Sequence, residues 1–488
     1  MKPVPPQTEQ TPLTQPRKVV FGGSLTSSLL LFSALLCIAS TAGAALPPEP
    51  KIFEVRAFGA VGDGVAMDTK PLQAAIDACH AHGGGIVRVT RGSYHIGTIR
   101  LKSHVTLSLE HEARLLGSQN QADYDTDLKP IAEGSRTCLI YAADATDITF
   151  QGLAIIDGRG TRLAFPGKDG TRPQLMRLQN CTQIKFSGLT YQNSANWGLH
   201  LIDCRNVHFD GVAISSRENN FNNDGMDLDG CQDVLIENCR INAGDDGICL
   251  KSSGPTPCSN IVVRHCELSS ATAGFKLGTS SRGGFVDIRL TDCWFHDCPM
   301  GAVKLQLVDG GRLENVELSR LVMDRVGGPF FIRLGNRGRE YKGKTGQVYA
   351  AGVKPEGVPV GTLRNVRIKD VVATVSDTTP DRMGIMITGI PGHRIENVSF
   401  ENVRITFPGG GPADAVGRAV PEDIARYPEQ FFFGVLPSWG LYLRHAAGIA
   451  FKNVAIESAA PDPRSPVVLD DVLNYDPSGL HINGVHAK

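Results

Sequence analysis

Between residues 222 and 252 the chain reads Asn-Asn-Asp-Gly-Met-Asp-Leu-Asp-Gly-Cys, then a short strand-like stretch, then Ala-Gly-Asp-Asp-Gly-Ile-Cys-Leu-Lys-Ser. Three carboxylates carry the chemical interest: Asp224, Asp245 and Asp246. Asp224 and Asp245 stand 21 residues apart, close to one turn of the repeat described below. In a chain that coils back on itself once per repeat, such residues lie on neighbouring rungs, about 4.8 Å apart. Acids on adjacent rungs reach the several-ångström spacing that acid/base cleavage of a glycosidic bond requires.

Turns in repetitive β-proteins favour Asp, Asn and Gly for conformational reasons, so any single member of the set Asp224, Asp227, Asp229, Asp245 and Asp246 reads first as a turn residue. The combination reads differently. An Asp-Asp pair facing a third Asp across one coil concentrates like charge at a cost in stability. Mutual repulsion should raise the proton affinity of at least one member, as a general acid needs.

The elements that hold these residues are legible as a repeat. Cys204, Cys231 and Cys258 recur at intervals of 27 residues, as do Cys239, Cys266 and Cys293. Alternating apolar and polar stretches accompany them, with cysteine-free copies at 184–189, 207–214, 313–318, 363–368, 395–400 and 449–456. Period-two alternation marks strands with one buried face. Repeats of twenty-odd residues with glycine or asparagine turns and no intervening helix predict an all-β fold, a right-handed parallel β-helix. The Leu-x-x-Leu-x-Leu pattern of leucine-rich repeats is missing. Stacked coils would place the cysteines in inward ladders of small apolar side chains rather than in disulfides.

The flanks fit this solenoid. After the glycine-rich turn ending at Gly64, Asp68 is placed to cap a helix whose apolar face is Leu72, Ala75, Ile76 and Cys79, with Pro71 in its first turn and Gly83-Gly84-Gly85 ending it. Such a helix would cover the open apolar end of the first rung, within an N-terminal cap at about 53–101. Irregular excursions at 335–361 and 409–430 are candidate groove walls.

Composition narrows the function. The 49 basic and 50 acidic side chains leave a net charge of -1, which argues against nucleic acid or an anionic membrane as partner. Residues 1–45 read as an export signal: Arg17 and Lys18 precede an apolar run at 29–39, and Ala42-Gly43-Ala44-Ala45 offers a cleavage site, with an uncleaved anchor as the alternative. Residues 50–488 then form a single catalytic domain. Of 12 cysteines, Cys37 leaves with the signal, and the remaining 11 (12 − 1) cannot all pair within a monomer.

The chain resembles glycoside hydrolase family 28, the polygalacturonase family, on a right-handed parallel β-helix. Two of that family's four motifs are matched, as Asn222-Asn223-Asp224-Gly225 and Gly244-Asp245-Asp246. The similarity extends to Phe58-Gly59-Ala60-Val61-Gly62-Asp63-Gly64, to the stretch from Phe433 to Tyr442, and to Val468-Leu469-Asp470-Asp471-Val472. The resemblance implies Asp245 as general acid, Asp224 and Asp246 as holders of the attacking water, and an inverted product. It implies a pectic polysaccharide substrate, polygalacturonan or rhamnogalacturonan, for an exported monomer with no cofactor, no metal and no membrane in the mature form.

The family's Gly-His-Gly and Arg-Ile-Lys motifs are not matched; Ala271 to Gly278 and Gly301 to Leu305 stand in their places. Lys304 occupies the middle place, and strand alternation is expected to turn it to the opposite face from the family's two cations. Lys251 and Lys276, with Arg282 behind them, are candidates for replacement positive charge at the substrate, or else counter-ions to the aspartates. Asn222 belongs to the same candidate binding set. His200, His208 and His265 read as structural, and Phe431, Phe432, Phe433, Trp439 and Tyr442 read as packing before sugar stacking. Two other functions stay open on this fold: a calcium-dependent pectate lyase, whose acids would hold Ca²⁺, and a non-catalytic carbohydrate-binding or adhesive β-helix.

Overall fold

The computed structural model describes residues 49–167, 170–216, 220–338, 358–378 and 384–486. Residues 1–45, expected to be an export signal, lie outside them, as does most of the 335–361 excursion.

Strand pairing between successive coils is parallel throughout the body of the fold. One sheet stacks Cys138–Ala143, Gln174–Gln179, Leu199–Ile202, Met226–Asp229, Ile248–Ser252, Phe275–Ser281, Val303–Leu307 and Phe330–Leu334 in that order. A second begins with Thr146–Gly152 and runs through Thr182–Ser187, Arg205–Asp210, Gln232–Glu237 and Cys258–Arg264. A third begins with Ile155–Asp157 and Thr190–Gln192. This is the right-handed parallel β-helix that the repeat predicts.

Side-chain alternation decides what faces inward. In the first sheet Met176, Leu199, Met226, Ile248, Phe275, Val303 and Phe330 occupy one register position and are all buried. In the second, Phe150, Phe186 and Phe209 stack nearly parallel, with centroids 4.9 and 4.2 Å apart. Each such side chain contributes about 1.5–3 kcal/mol by leaving water. The eleven described cysteines are all free and buried, so the ladder expectation holds.

Turns between sheets put Asp and Asn in the left-handed region, where their short polar side chains are tolerated. There they form external ladders of their own: Asn260 donates to Asp233 at 2.7 Å and Asn315 to Asp287 at 2.9 Å.

Helix Thr69–Ala81 buries Leu72, Ala75, Ile76 and Cys79, as the spacing predicts. The expected cap is different. Asp68 sits at the N-cap position, but its carboxylate accepts from the N–H groups of Val61 (2.7 Å) and Gly62 (3.0 Å) instead of a helix N–H. It ties the glycine-rich turn to the helix start. Among the described residues no helix is long and apolar enough to cross a membrane.

Candidate active site

The first sheet carries the acids on its outer side. Asp227 pairs with His200 on one neighbouring coil and with Cys249 on the other, and Lys276 and Lys304 continue that register position. Asp224 and Asp246 lie just before their strands, where the N–H of Gly225 donates to the Asp246 carbonyl at 2.9 Å. The glycine after each acid has a steric cause. A Cβ on Gly225 would sit 2.5 Å from the Gly247 carbonyl oxygen, and one on Gly247 would sit 2.5 Å from that of Gly274. The paired Asp-Gly motifs are therefore the sequence of a tightly stacked corner that leaves the carboxylates pointing out.

Asp224, Asp245 and Asp246 each offer an oxygen within 4.8 Å of the others. The predicted trio is one cluster, outside the apolar interior. Thr272 joins it: its hydroxyl lies 3.0 Å from Asp245 Oδ1 and 2.9 Å from Asp246 Oδ1, able to donate to one of them at a time. Lys276 Nζ is 2.9 Å from Asp246 Oδ2.

The three acids are not equivalent. Burial would raise Asp246, but Lys276, Lys304 and Lys251 outweigh it and hold this carboxyl below its ordinary value. Burial first, then the Asp246 charge, raises Asp245. Burial, with Asp227 and Asp245 behind it, pushes Asp224 well up. One anion fixed by cations thus stands beside two carboxyls that retain protons more readily.

The candidate binding residues fall into different places. Lys276 bridges Asp246 and Glu429, the latter at 3.2 Å. Lys251 is 3.4 Å from the buried Asp227 and 4.4 Å from the Trp197 ring centroid, so it acts as a counter-ion and a cation–π partner. Asn222 is half-buried with φ +53°, two residues ahead of Asp224. Arg282 lies just past the Phe275–Ser281 strand; its backbone N–H donates to the Ser252 carbonyl, and no ion pair joins its side chain to the described acids.

Lys304 requires a correction. It is 1% exposed and in register with Lys276, and it meets Glu429 on the site side of the sheet. The residues turned to the core are Val303 and Leu305. The expectation that Lys304 faces away from the site cations fails because the motif comparison is one residue out of step with the strand, and one residue reverses the face.

His200 is buried, with Nδ1 2.9 Å from Gln174 Nε2. Phe433 and Tyr442 join Phe331 in a small apolar cluster, and Trp439 packs edge-on against Phe407. Phe431 and Phe432 are half-buried, with ring centroids 4.3 Å apart and planes tilted by 51°.

Three residues of the site escaped the sequence reading: Thr272, Glu429 and Trp197. Thr272 falls where the family histidine is missing, which was a usable signal. Glu429 lies 153 residues beyond Lys276 and nothing in the sequence connects them.

The fold and the site together define a class: β-helical proteins with an outward carboxylate centre of the acid/base kind. Comparison with known proteins makes this specific. The chain belongs to the glycosyl hydrolases family 28, whose profile matches residues 79–420. A probable polygalacturonase of Vitis vinifera is 33% identical over 174 residues, 32% of this chain and 35% of that protein. An exo-poly-alpha-D-galacturonosidase of Dickeya chrysanthemi is 34% identical over 158 residues, 30% of this chain and 26% of that one. The matched segments thus span about a third of the first relative's length and about a quarter of the second's. The solved family 28 exopolygalacturonase of Yersinia enterocolitica shares the fold with a TM-score of 0.69 at 19% identity, over 90% of this chain and 80% of that one.

Proposed function

We propose that the protein is an exported glycoside hydrolase that cleaves a pectic polysaccharide. Asp245, its proton affinity raised by burial and by Asp246, donates to the departing glycosidic oxygen. Asp246, kept anionic by Lys276, takes the proton of the attacking water, and Asp224 orients that water. The observation that carries this reading is the geometry of one outward cluster, in which Asp224, Asp245 and Asp246 each offer an oxygen within 4.8 Å of the others and Lys276 lies 2.9 Å from Asp246.

Inverting glycosidases usually space acid and base about 6.5–9.5 Å apart to seat water between them. Here the nearest oxygens lie within 4.8 Å, so the water must sit beside the trio, held by Asp224 and Asp246, for inversion to operate. The anomeric form of the first product, read by NMR, tests this. Export rests on the character of residues 1–45, and size-exclusion chromatography of the mature protein tests its reading as a monomer.

The deciding experiment is Asp245→Asn assayed on polygalacturonate and rhamnogalacturonan with calcium chelated. Loss of a positioned general acid costs about 10²–10⁴-fold in rate while binding persists. A lyase would instead need Ca²⁺ and give an unsaturated, ultraviolet-absorbing product. A binding module would be indifferent to the substitution.

A further inference from the structure

A carboxylate belonging to the chain already sits on the two lysines beside Asp246. Glu429, in the excursion after the Ile395–Phe407 strand, places Oε1 3.2 Å from Lys276 Nζ and Oε2 against Lys304 Nζ. The lysines occupy the same register position on adjacent coils. Two ammonium groups one rung apart, converging on the two oxygens of one carboxylate, make a carboxylate receptor, and Glu429 fills it. The local charges are balanced: Lys276 and Lys304 face Asp246 and Glu429. A substrate carboxylate arriving here would bring a third negative charge to a place with no uncommitted cation among the described residues, where low dielectric makes the repulsion costly.

The segment that carries Glu429 is held as a fixed wall. Gln306 Nε2 donates to the Pro428 carbonyl at 2.6 Å, and Gln430 Nε2 to that of Gly384 at 3.3 Å. Arg333 donates to the carbonyls of Glu422 (2.8 Å) and Asp423 (3.1 Å). Arg444 does the same for Val420 (2.8 Å) and Pro421 (3.0 Å). Both guanidinium groups are buried. Swinging the wall out would break all of these hydrogen bonds in a buried setting, so Glu429 stays in place when substrate binds.

Resting on the hydrolase reading above, we propose that Glu429 is a specificity-determining residue: it cancels the Lys276–Lys304 receptor, so that the sugar unit bound over those lysines is uncharged. Two pectic sources supply such a unit, a neutral sugar alternating with galacturonate or a methyl-esterified galacturonate. A free galacturonate is rejected at that position.

The test reads binding in the Asp245→Asn background, by calorimetry with three probes: an oligogalacturonate, its methyl ester and a rhamnogalacturonan oligosaccharide. With Glu429 present the oligogalacturonate binds weakest. Preference for the ester or for the rhamnogalacturonan probe identifies the source of the uncharged unit. Adding Glu429→Gln, which keeps the shape and removes the charge, should tighten oligogalacturonate binding about tenfold or more, about 1.4 kcal/mol, and leave the uncharged probes nearly unchanged. Lys304→Gln added to Glu429→Gln should reverse the gain. Glu429→Asp, which keeps the charge, should still reject the oligogalacturonate, whereas a loosened wall would make it behave like Glu429→Gln. Equal affinity of the parent for all three probes, or a Glu429→Gln effect common to all three, overturns the proposal. Failure of every probe to bind any of these variants overturns the pectic reading beneath it.

Discussion

Lys276→Met tests the electrostatic core of the site, because one cation is asked to keep Asp246 ionised. Its Nζ lies 2.9 Å from Asp246 Oδ2, with both side chains 5% exposed. At an effective dielectric constant near 20, unit charges at that spacing attract by about 6 kcal/mol. Desolvation takes much of this back, and a single adjacent opposite charge moves a carboxyl by about 1–3 pH units in practice. Lys304 and Lys251 continue to act on Asp246 in the variant, so the lower half of that range is expected. The sign is fixed: Asp246 is held low, so losing Lys276 raises it, and the acid limb of kcat/KM moves up by about 1–2 pH units. Lys276 also opposes the rise of Asp245, so the alkaline limb moves up with it. The whole profile is displaced to higher pH, and its limbs belong to the coupled cluster. The assay is initial reducing-end release across about pH 3–8 at constant ionic strength. Breaking a buried pair costs about 3–5 kcal/mol, so thermal unfolding must first show the variant folded. A folded Lys276→Met protein with an unmoved acid limb would refute Asp246 as the base.

Two stability predictions follow from groups away from the reacting centre. Burial raises Asp229 from 3.8 to about 6, although its Oδ1 accepts from the Ser253 N–H at 2.7 Å. A carboxyl raised in the folded state stabilises below its unfolded value and loses that contribution as pH rises through about 6; Asp229→Asn should therefore be neutral near pH 4 and more stable than the parent by up to about 3 kcal/mol near pH 8, as read by thermal unfolding. Phe186→Ala removes the middle ring of the Phe150–Phe186–Phe209 stack and should cost about 3–5 kcal/mol in denaturant unfolding. A loss below about 1 kcal/mol would mean that the coils close around the gap.

How much of this was readable in advance follows from the physics of a solenoid. The interior imposes period-two alternation and stacks equivalent positions, so the cysteine intervals announced the β-helix and the Asp-Gly pairs announced its charged corner. The capping helix was legible because Leu72, Ala75, Ile76 and Cys79 show the three-and-four spacing of a buried stripe. Where register had to be known to one residue, the sequence was insufficient. Coils differ in length here: Asp227 pairs with Cys249 across 22 residues, while Cys249 pairs with Lys276 across 27. A motif comparison that slips by one therefore sends Lys304 to the wrong face. The carboxylate that matches Lys304 comes from a wall that local periodicity does not describe.

That distance between Glu429 and its lysines also bears on how specificity is divided in this fold. The three acids and Thr272 are delivered by coils whose stacking the core enforces. A change there disturbs the β-helix itself, as the close approach of Gly225 to the Gly247 carbonyl shows. Glu429 is delivered by an excursion anchored through Arg333, Arg444 and Gln306 to backbone carbonyls. Anchors that recognise carbonyls tolerate any side chain on the segment they hold. The charge presented to substrate can thus vary at residue 429 without disturbing the anchors, while Lys276, which touches both Glu429 and Asp246, transmits that change to the acids. On the proposed reading, reaction chemistry is tied to the repeat and the choice of sugar to the wall.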